Sequence, residues 1–247
     1  MKILATYNIK GGVGKTSTAV NLSYLAAQDG LRVLLWDLDP QAAASYLFRI
    51  RPRVKGGGKA LIKGSREIDD SIKGTDFADL DLLPADFTYR NLDLVLGATK
   101  KPTRRIARLL APLSSEYDVI FLDCPPGISL LSESVLQAAD SLLIPLIPTV
   151  LSLRTLDQLT DFISSFDGQR PRVLAFFSMI DRRKTLHREI AERLPTERDD
   201  VAAAAIPSLS QIERMSVERA PVAAFAPNSR AAQAYQALWA EVRSRML

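Results

Sequence analysis

The feature that most constrains this chain is the segment KGGVGKTS, Lys10 to Ser17, close to the N-terminus. It follows the apolar run ILATY and opens a stretch, 16–28, with helical apolar spacing. A strand, a glycine turn and a helix that begins with Lys-Thr form a phosphate-binding loop, in which Lys15 reaches the β and γ phosphates and Thr16 ligates Mg²⁺. The predicted phosphate-binding residues are Lys10, Gly11, Gly12, Val13, Gly14, Lys15, Thr16 and Ser17.

Short apolar runs alternate with helical patterns along the whole chain. Near-continuous apolar strands separated by helices predict an α/β fold, with a doubly wound, mainly parallel sheet flanked by helices on both faces. The 247 residues are expected to form a single domain, 1–247. The predicted strands are 2–8, 32–39, 81–86, 118–123, 140–146, 172–180 and 201–207, and the predicted helices are 16–28, 103–113, 130–138, 153–166 and 186–194. Segment 51–65, with Pro52 and three consecutive glycines, is expected to be a mobile basic loop.

Composition excludes several classes of protein. One cysteine and one histidine exclude a disulfide framework and a multi-cysteine metal site. The longest apolar stretch, 142–151, carries two prolines and is too short to span a membrane. The glycine loop precedes any complete signal-type stretch, so a cytoplasmic location is expected.

Positive charge is concentrated in two runs. Residues 49–66 hold seven Lys/Arg and no acid, and residues 100–108 hold five and no acid, although the net charge of the chain is only +4. Such runs form either a solvated face or a surface that binds a polyanion, and the sequence leaves both interpretations open.

The glycine loop departs from the ordinary pattern G-x-x-x-x-G-K-[ST] because Ile9 stands where a glycine is expected, and Lys10 follows it. This variant resembles the deviant Walker A loop of the ParA/MinD family. LLWDLDPQAAAS (34–45) is similar to the family's D-x-D-P-Q motif, and YDVIFLDCPPGISLL (117–131) to its Walker B strand and switch. LQAADSLLIPLIPT (136–149), IP (206–207) and APNSRAAQAYQALWAEV (226–242) follow in the family's order, so the resemblance covers nearly the whole chain.

The resemblance implies a role for the second lysine. In the family, the lysine at the place of Lys10 reaches across a two-fold interface to the partner's phosphates, so that two ATP molecules lie inside a homodimer. The alternatives are that Lys10 serves its own subunit or faces water. A second cation is favoured only where the γ-phosphate adds negative charge, which would link dimerisation to ATP rather than ADP.

Three acids follow predicted strands. Asp37 and Asp39 share one face at the end of a strand, and Asp123 ends another. By resemblance, Asp39 orients the attacking water and acts with Lys10 and Lys15 in catalysis, while Asp37 lies near the magnesium and phosphate region. The predicted metal set is Thr16, Asp37 and Asp123.

The resemblance also suggests a switch and an adenine site. PPG, 125–127, would sense the γ-phosphate, with the Gly127 N–H free at a hinge. The adenine contacts are predicted at Met179, Asp181 and Pro207.

ParA-like ATPases bind nonspecific DNA as ATP dimers and move plasmids, chromosome origins or protein cargo on the nucleoid, and a ParB-like partner stimulates hydrolysis. The resemblance implies the same for this chain, with nucleoid association. Ser208 and Gln211 replace arginines that the family often carries after Ile-Pro, and no DNA-reading extension precedes the first strand, so sequence-specific operator binding is not expected. The predicted DNA-contacting cations are Arg182, Arg183, Lys184, Arg188, Arg193, Arg214 and Arg219.

The main alternative is a MinD-like ATPase that cycles on and off a membrane. The C-terminal segment carries an apolar helical stripe that would suit an anchor, but few cations flank it, and such stripes usually dock on the sheet. The stripe comprises Ala231, Tyr235, Leu238, Trp239, Val242 and Met246. Iron-sulfur carriers that share this loop need paired cysteines, whereas Cys124 is alone and is expected to be a small buried residue.

Overall fold

A computed structural model describes residues 1–65, 67–166 and 170–247. Its centre is a seven-stranded sheet in the order β3-β4-β2-β5-β1-β6-β7, in which only the pairing of β3 with β4 is antiparallel. The predicted doubly wound, mainly parallel architecture is confirmed. The strands are β1 Lys2–Thr6, β2 Val33–Asp37, β3 Lys73–Gly74, β4 Leu80–Leu83, β5 Val119–Asp123, β6 Ser141–Leu146 and β7 Arg172–Phe177.

Helices cover both faces of the sheet. Among the described residues, α1, α2, α9 and α11 pack in one buried apolar cluster, and α3 to α8 pack in the other. The helices are α1 Lys15–Gln28, α2 Ala43–Leu47, α3 Gly57–Lys63, α4 Leu92–Gly97, α5 Arg105–Leu110, α6 Leu130–Ala138, α7 Val150–Ser164, α8 Thr185–Glu197, α9 Ser210–Glu218, α10 Val222–Phe225 and α11 Arg230–Met246. Short 3₁₀ turns lie at Asp69–Ser71, Phe87–Asn91, Pro102–Arg104 and Ala111–Ser115.

Local chemistry accounts for these elements. The five residues of β2 and the five of β5 are all buried, because helices cover both faces of the central strands. Three helices begin at residues whose hydroxyls accept a backbone N–H of the first turn: Ser129 before α6, Thr149 before α7 and Ser229 before α11. These capping hydrogen bonds fix the residue at which each of the three helices begins.

Strand order brings the three polar strand ends together. β5 lies between β1 and β2, and its last residue, Asp123, is in register with Thr6 of β1 and Asp37 of β2. Carboxyl ends of parallel strands share one edge of a sheet, which is where ligands bind in open α/β folds. The glycine loop leaves β1 at the same edge.

The expectation of a mobile loop over 51–65 is wrong for its second half, which forms α3. Leu61 and Ile62 are buried, and the Gly58 N–H donates to the Thr88 hydroxyl at 2.8 Å. A Cβ on Gly58 would lie 2.8 Å from the Tyr89 ring, so the glycine permits a close approach of the helix to the turn at Phe87–Asn91. The stabilising contacts come from residues about thirty positions away, which the local glycines do not reveal.

The predicted strand 201–207 is not formed as a strand. Val201 forms an isolated bridge with Ala175 of β7, and Pro207 forms one with Ile180, which lies beyond the end of β7. Between the bridges, the amides of Ala203 and Ala204 donate to the Glu241 carboxylate at 3.2 and 3.0 Å. Glu241 of α11 therefore accepts two amides in the middle of the segment, while the amides of Ala202 and Ile206 donate to the carbonyls of Ala175 and Phe177 in β7.

The C-terminal stripe is buried against the sheet layer, as expected from its pattern. Trp239 and Val242 are among its buried residues, and the Trp239 indole N–H and the Arg243 guanidinium both donate to Asp29. No helix among residues 1–65, 67–166 and 170–247 has the length and apolar character needed to cross a membrane. In this conformation the stripe is not exposed as an amphipathic anchor.

Candidate nucleotide site

The glycine loop joins β1 to α1 in a conformation that needs glycine. Gly12 and Gly14 have φ of 69° and 94°, values that side chains disfavour, and α1 begins at the next residue, Lys15. Built Cβ atoms on Gly11 and Gly12 would meet nothing within 4 Å, so the loop leaves open space above its backbone. Unpaired N–H groups at the start of a fourteen-residue helix favour an anion there.

Lys15 lies inside this loop. It is 7% exposed, and its ammonium donates to the Lys10 carbonyl at 2.9 Å. Burial lowers the pKa of Lys15, while the carboxylates of Asp123 and Asp39 act in the opposite direction. The ammonium is thus held at the floor of the loop, where a bound phosphate would replace the carbonyl as its partner.

Lys10 is positioned by a residue that the sequence did not single out. The buried Asn8 accepts the Lys10 N–H at 2.9 Å and donates through its side-chain amide to the Pro145 carbonyl at 2.8 Å. Asn8 therefore ties the loop to the end of β6. The Lys10 side chain is half-buried, and its ammonium makes no ion pair with any described residue.

Asp123 is the carboxylate whose environment best fits a metal ligand. It is fully buried, and its Oδ2 has no hydrogen-bond partner among the described residues. Burial and the nearby Asp37 raise its pKa well above the usual value, while Thr16 and Lys15 lower it. A buried carboxylate oxygen beside a hydroxyl is a donor set of the kind Mg²⁺ prefers, so Asp123 and Thr16 fit the metal.

Asp37 has a different environment. Its Oδ2 accepts both the backbone N–H and the hydroxyl of Ser45 in α2, each at 2.8 Å, and its Oδ1 accepts the Asp39 N–H at 3.3 Å. Both carboxylate oxygens of Asp37 therefore already accept hydrogen bonds from the protein. The geometry favours a role in holding α2 and the Asp39 loop, in place of the predicted metal contact.

We expect Asp37 to make the nucleotide-free protein less stable as pH rises. Burial is the largest cause that raises its pKa, from 3.8 to about 6. The folded state therefore binds a proton at Asp37 that the unfolded state releases, so the contribution of Asp37 to the free energy of unfolding should fall between about pH 4 and pH 6. Asp37→Asn should flatten this part of the profile in urea unfolding across that range. A wild-type profile that rises with pH there, and is unchanged in the variant, would contradict the expectation.

Asp39 lies at the cavity. It is half-buried, and its Oδ1 accepts the Gln41 N–H at 2.9 Å, which holds the carboxylate in one orientation. The cavity has a volume of about 410 Å³ and brings the glycine loop, Asp39 and Pro126 together with segments far along the chain. Its lining residues are Gly11, Gly12, Gly14, Lys15, Thr16, Ser17, Thr18, Asp39, Pro126, Ser178, Met179, Ile206, Pro207, Ser208, Leu209, Ile212, Glu213 and Tyr235.

The predicted adenine residues are only partly brought together. Met179 and Pro207 line the cavity, but Asp181 does not. The chain turns at Met179, which has a φ of 54°, and Asp181 instead accepts two hydrogen bonds from the Arg183 guanidinium, both at 2.9 Å. The apolar lining was missed: Ile206 and Leu209 lie in the segment between α8 and α9, Ile212 lies in α9, and Tyr235 lies in α11.

The PPG segment also differs from expectation. The Gly127 N–H is not free, because it donates to the Ile9 carbonyl at 3.0 Å, and the Tyr7 hydroxyl donates to the Gly127 carbonyl at 2.8 Å. This segment is therefore fastened to the start of the glycine loop. Cys124 is buried, as expected.

Comparison with known proteins identifies the family of the chain. A family model described as an AAA domain matches residues 1–176. The sporulation initiation inhibitor protein Soj of Bacillus subtilis is 33% identical over 247 residues, covering 98% of each chain. The chromosome partitioning protein ParA of Caulobacter vibrioides is 32% identical, covering 99% of this chain and 95% of that protein.

The chain belongs to the ParA/Soj family. This is a family of partitioning ATPases with the P-loop fold. A plasmid partition protein from Borrelia burgdorferi, solved with AMPPNP bound, superposes with a TM-score of 0.85 at 24% identity, covering 100% of this chain and 99% of that chain. At that identity the likeness shows the fold.

The predicted DNA-contacting cations lie in two regions of the fold, one in and just before α8 and the other at α9. Arg182, Lys184 and Arg188 are exposed at and before the start of α8 and have no ion pair within the described segments. Arg183, Arg193 and Arg214 are exposed but paired, with Asp181, Glu197 and Glu218 respectively. Arg219 differs, because its guanidinium donates to the Tyr46 carbonyl at 3.0 Å and lies over the Tyr46 ring. It fastens α9 to α2 and is not a free cation for DNA.

Proposed function

We propose that this protein is a magnesium-dependent ATPase that forms an ATP-sandwich homodimer, binds nonspecific DNA in that state, and is reset by hydrolysis that a ParB-like partner stimulates. Its task would be to position a chromosome, plasmid or protein cargo on the nucleoid, and residues 1–247 would act as one domain. The observation that carries the proposal is that the two lysines of the glycine loop have different environments. Lys15 already fills the floor of its own loop, while the Lys10 ammonium has no ionic partner among the described residues.

Within one subunit, the site residues provide positioning and charge. The loop amides and Lys15 would bind the phosphates, and Thr16 and Asp123 would hold the metal. Bound Mg²⁺ would neutralise charge on the phosphate oxygens. Asp39, oriented by the Gln41 amide, would accept a hydrogen bond from the attacking water and set its direction.

Between subunits, Lys10 would complete the partner's site. The Asn8 bridge holds the Lys10 backbone, so the side chain extends from a fixed base at the edge of the cavity. A cation that crosses an interface is stabilised by the additional negative charge of a γ-phosphate, which ADP lacks. Dimerisation would therefore depend on the triphosphate.

DNA binding would follow from dimerisation. Two copies of the unpaired cations Arg182, Lys184 and Arg188 would be placed in one assembly, and phosphate contacts need charge rather than a fixed pattern of side chains. The relatives named for chromosome partitioning support a chromosomal or plasmid setting.

The test is DNA binding by the full chain with a nonhydrolysable ATP analogue, with ADP and without nucleotide, across a salt series. We expect additional binding with the analogue alone, with an affinity that falls steeply as salt increases. Sedimentation of the same samples should show a dimer only with the analogue and Mg²⁺. If the protein remains monomeric at saturating analogue, or if the analogue adds no DNA binding, the proposal is wrong.

A further inference from the structure

The C-terminal helix α11 brings one hydroxyl into a wall of the nucleotide cavity that is built mainly from apolar side chains. Tyr235 belongs to the buried stripe of α11 and is 2% exposed, and it lines the cavity together with Ile206, Leu209 and Ile212. The phosphate, metal and water-orienting residues of the proposed ATP cycle all lie elsewhere in the cavity. The tyrosine therefore has a place in the site but no role in it so far.

The Tyr235 hydroxyl has no hydrogen-bond partner among the described residues. Its pKa is raised by burial alone, with no contribution from a neighbouring donor or acceptor. In the described part of the chain, the fully enclosed polar side-chain atoms without a partner are Trp36 Nε1, Asp123 Oδ2 and Ser141 Oγ, and the Tyr235 oxygen is not among them. An unpaired oxygen that is not fully enclosed reaches open space, and the nucleotide cavity is the space that Tyr235 lines.

A second aromatic residue of the same stripe shows how such a polar group is usually satisfied. The Trp239 indole N–H, one turn further along α11, donates to Asp29 at 2.8 Å. Buried tyrosine hydroxyls and tryptophan N–H groups generally find a partner, because an unpaired buried polar group costs free energy. Tyr235 thus has the environment of a residue whose hydrogen-bond partner arrives with the ligand.

The position of Tyr235 indicates which part of a nucleotide it meets. The phosphates belong at the other end of the cavity, where Lys15 and Thr16 lie. The flat base is the part of a nucleotide that suits an apolar wall, whereas ribose hydroxyls need polar neighbours on several sides. Adenine carries unprotonated ring nitrogens that accept hydrogen bonds, and a phenol that keeps its proton is a donor.

We propose that Tyr235 is a specificity-determining residue for the nucleotide, and that its hydroxyl donates a hydrogen bond to a ring nitrogen of adenine. The inference deepens the proposed function and rests on it, since it takes ATP as the occupant of the cavity. The contact is remote from the phosphates, so it acts on binding and not on the hydrolysis step. Removing it should raise the KM for ATP and leave kcat unchanged.

The test begins with Tyr235→Phe in the full chain, which removes the hydroxyl and keeps the ring. Affinity for ATP should fall roughly 2- to 12-fold, the effect of one hydrogen bond between neutral groups. The Tm without nucleotide should be unchanged or higher, because the hydroxyl has no partner to lose. A loss of Tm with unchanged ATP affinity would instead assign Tyr235 to the core and overturn the proposal.

Tyr117→Phe is the matched control, because it makes the same chemical change at a buried hydroxyl outside the cavity lining. The Tyr117 hydroxyl donates to Asp81 at 2.8 Å. Losing this bond should lower the Tm by about 2–4 °C and leave the affinity for ATP at the wild-type value. The two variants therefore have opposite expected signatures.

Nucleotide analogues locate the acceptor. 1-Deaza-ATP, 3-deaza-ATP and 7-deaza-ATP each replace one ring nitrogen of adenine by C–H. In the wild type, one of them should bind more weakly than ATP, and in Tyr235→Phe the same analogue and ATP should bind equally, as in a double-mutant cycle. A loss with 2′-deoxy-ATP that disappears in the variant would place the hydroxyl on the ribose and overturn the assignment to the base.

Sedimentation of the wild type with a nonhydrolysable ATP analogue and Mg²⁺ separates this inference from the proposed function. Dimerisation of the wild type, combined with wild-type ATP affinity in Tyr235→Phe, would refute the role of Tyr235 alone. A wild type without measurable ATP binding would refute the proposed function, and the inference with it.

Discussion

Lys10→Ala is expected to abolish dimerisation in the presence of a nonhydrolysable ATP analogue and Mg²⁺, while leaving nucleotide binding to the monomer nearly intact. The substitution removes the cation proposed to contact the partner's phosphates, but Lys15 and the loop amides remain in place. Truncating one member of a buried charge pair at an interface costs about 2–5 kcal/mol, on the order of 30-fold to several thousand-fold, and the substitution removes two such pairs from the two-fold dimer. Sedimentation velocity and titration with a fluorescent nucleotide measure the two quantities separately.

Lys2→Ala is the matched control for Lys10→Ala, since it removes an exposed lysine from the same N-terminal segment. It should dimerise as the wild type does. A Lys10→Ala dimer of wild-type affinity would assign the lysine to its own subunit or to solvent. Loss of nucleotide binding by the monomer would instead mean that the loop itself had been disturbed, against the role of Asn8 in holding its backbone.

Asp39→Ala is expected to slow phosphate release on the order of 10²–10⁴-fold, the usual contribution of a positioned general base or water-orienting group. The ATP-bound dimer should accumulate, because the nucleotide contacts of Lys15 and Thr16 do not depend on Asp39. Asp37 remains to hold α2 through Ser45, so the fold should be kept. Steady-state phosphate release and sedimentation with ATP are the measurements.

Asp39→Asn separates charge from geometry. Its side-chain oxygen can still accept the Gln41 N–H, so the loop should retain its conformation while the carboxylate charge is lost. Slow turnover in both variants would show that hydrolysis depends on the negative charge of the Asp39 carboxylate. Turnover at the wild-type rate in Asp39→Ala would remove the water-orienting assignment.

The sequence predicted what short-range chemistry controls. The glycine loop needs left-handed backbone at Gly12 and Gly14, and the strands around it are buried on both faces, so residue type and periodicity were sufficient to locate β1, α1, β2 and β5. The carboxyl-edge placement of Asp37, Asp39 and Asp123 followed, because strand ends of a parallel sheet meet at one edge.

Contacts between distant segments decided the rest. Residue type made Asp37 and Asp123 look alike, but Ser45 of α2 donates two hydrogen bonds to Oδ2 of Asp37, whereas Oδ2 of Asp123 has no hydrogen-bond partner among the described residues. Gly58 suggested a loop, but contacts with Thr88 and Tyr89 hold it in a helix. Glu241 of α11 accepts hydrogen bonds from two amides of the predicted strand 201–207.

By itself, the sequence determined the glycine loop between β1 and α1, the layered α/β fold and the membership in the ParA/Soj family. Only the tertiary structure decided which carboxylate oxygen has no hydrogen-bond partner among the described residues and which apolar residues line the cavity. The physical reason is the distance along the sequence between the residues that interact. Backbone conformation and burial period are properties of neighbouring residues, whereas hydrogen-bond satisfaction and electrostatic environment depend on side chains that only the folded chain brings together.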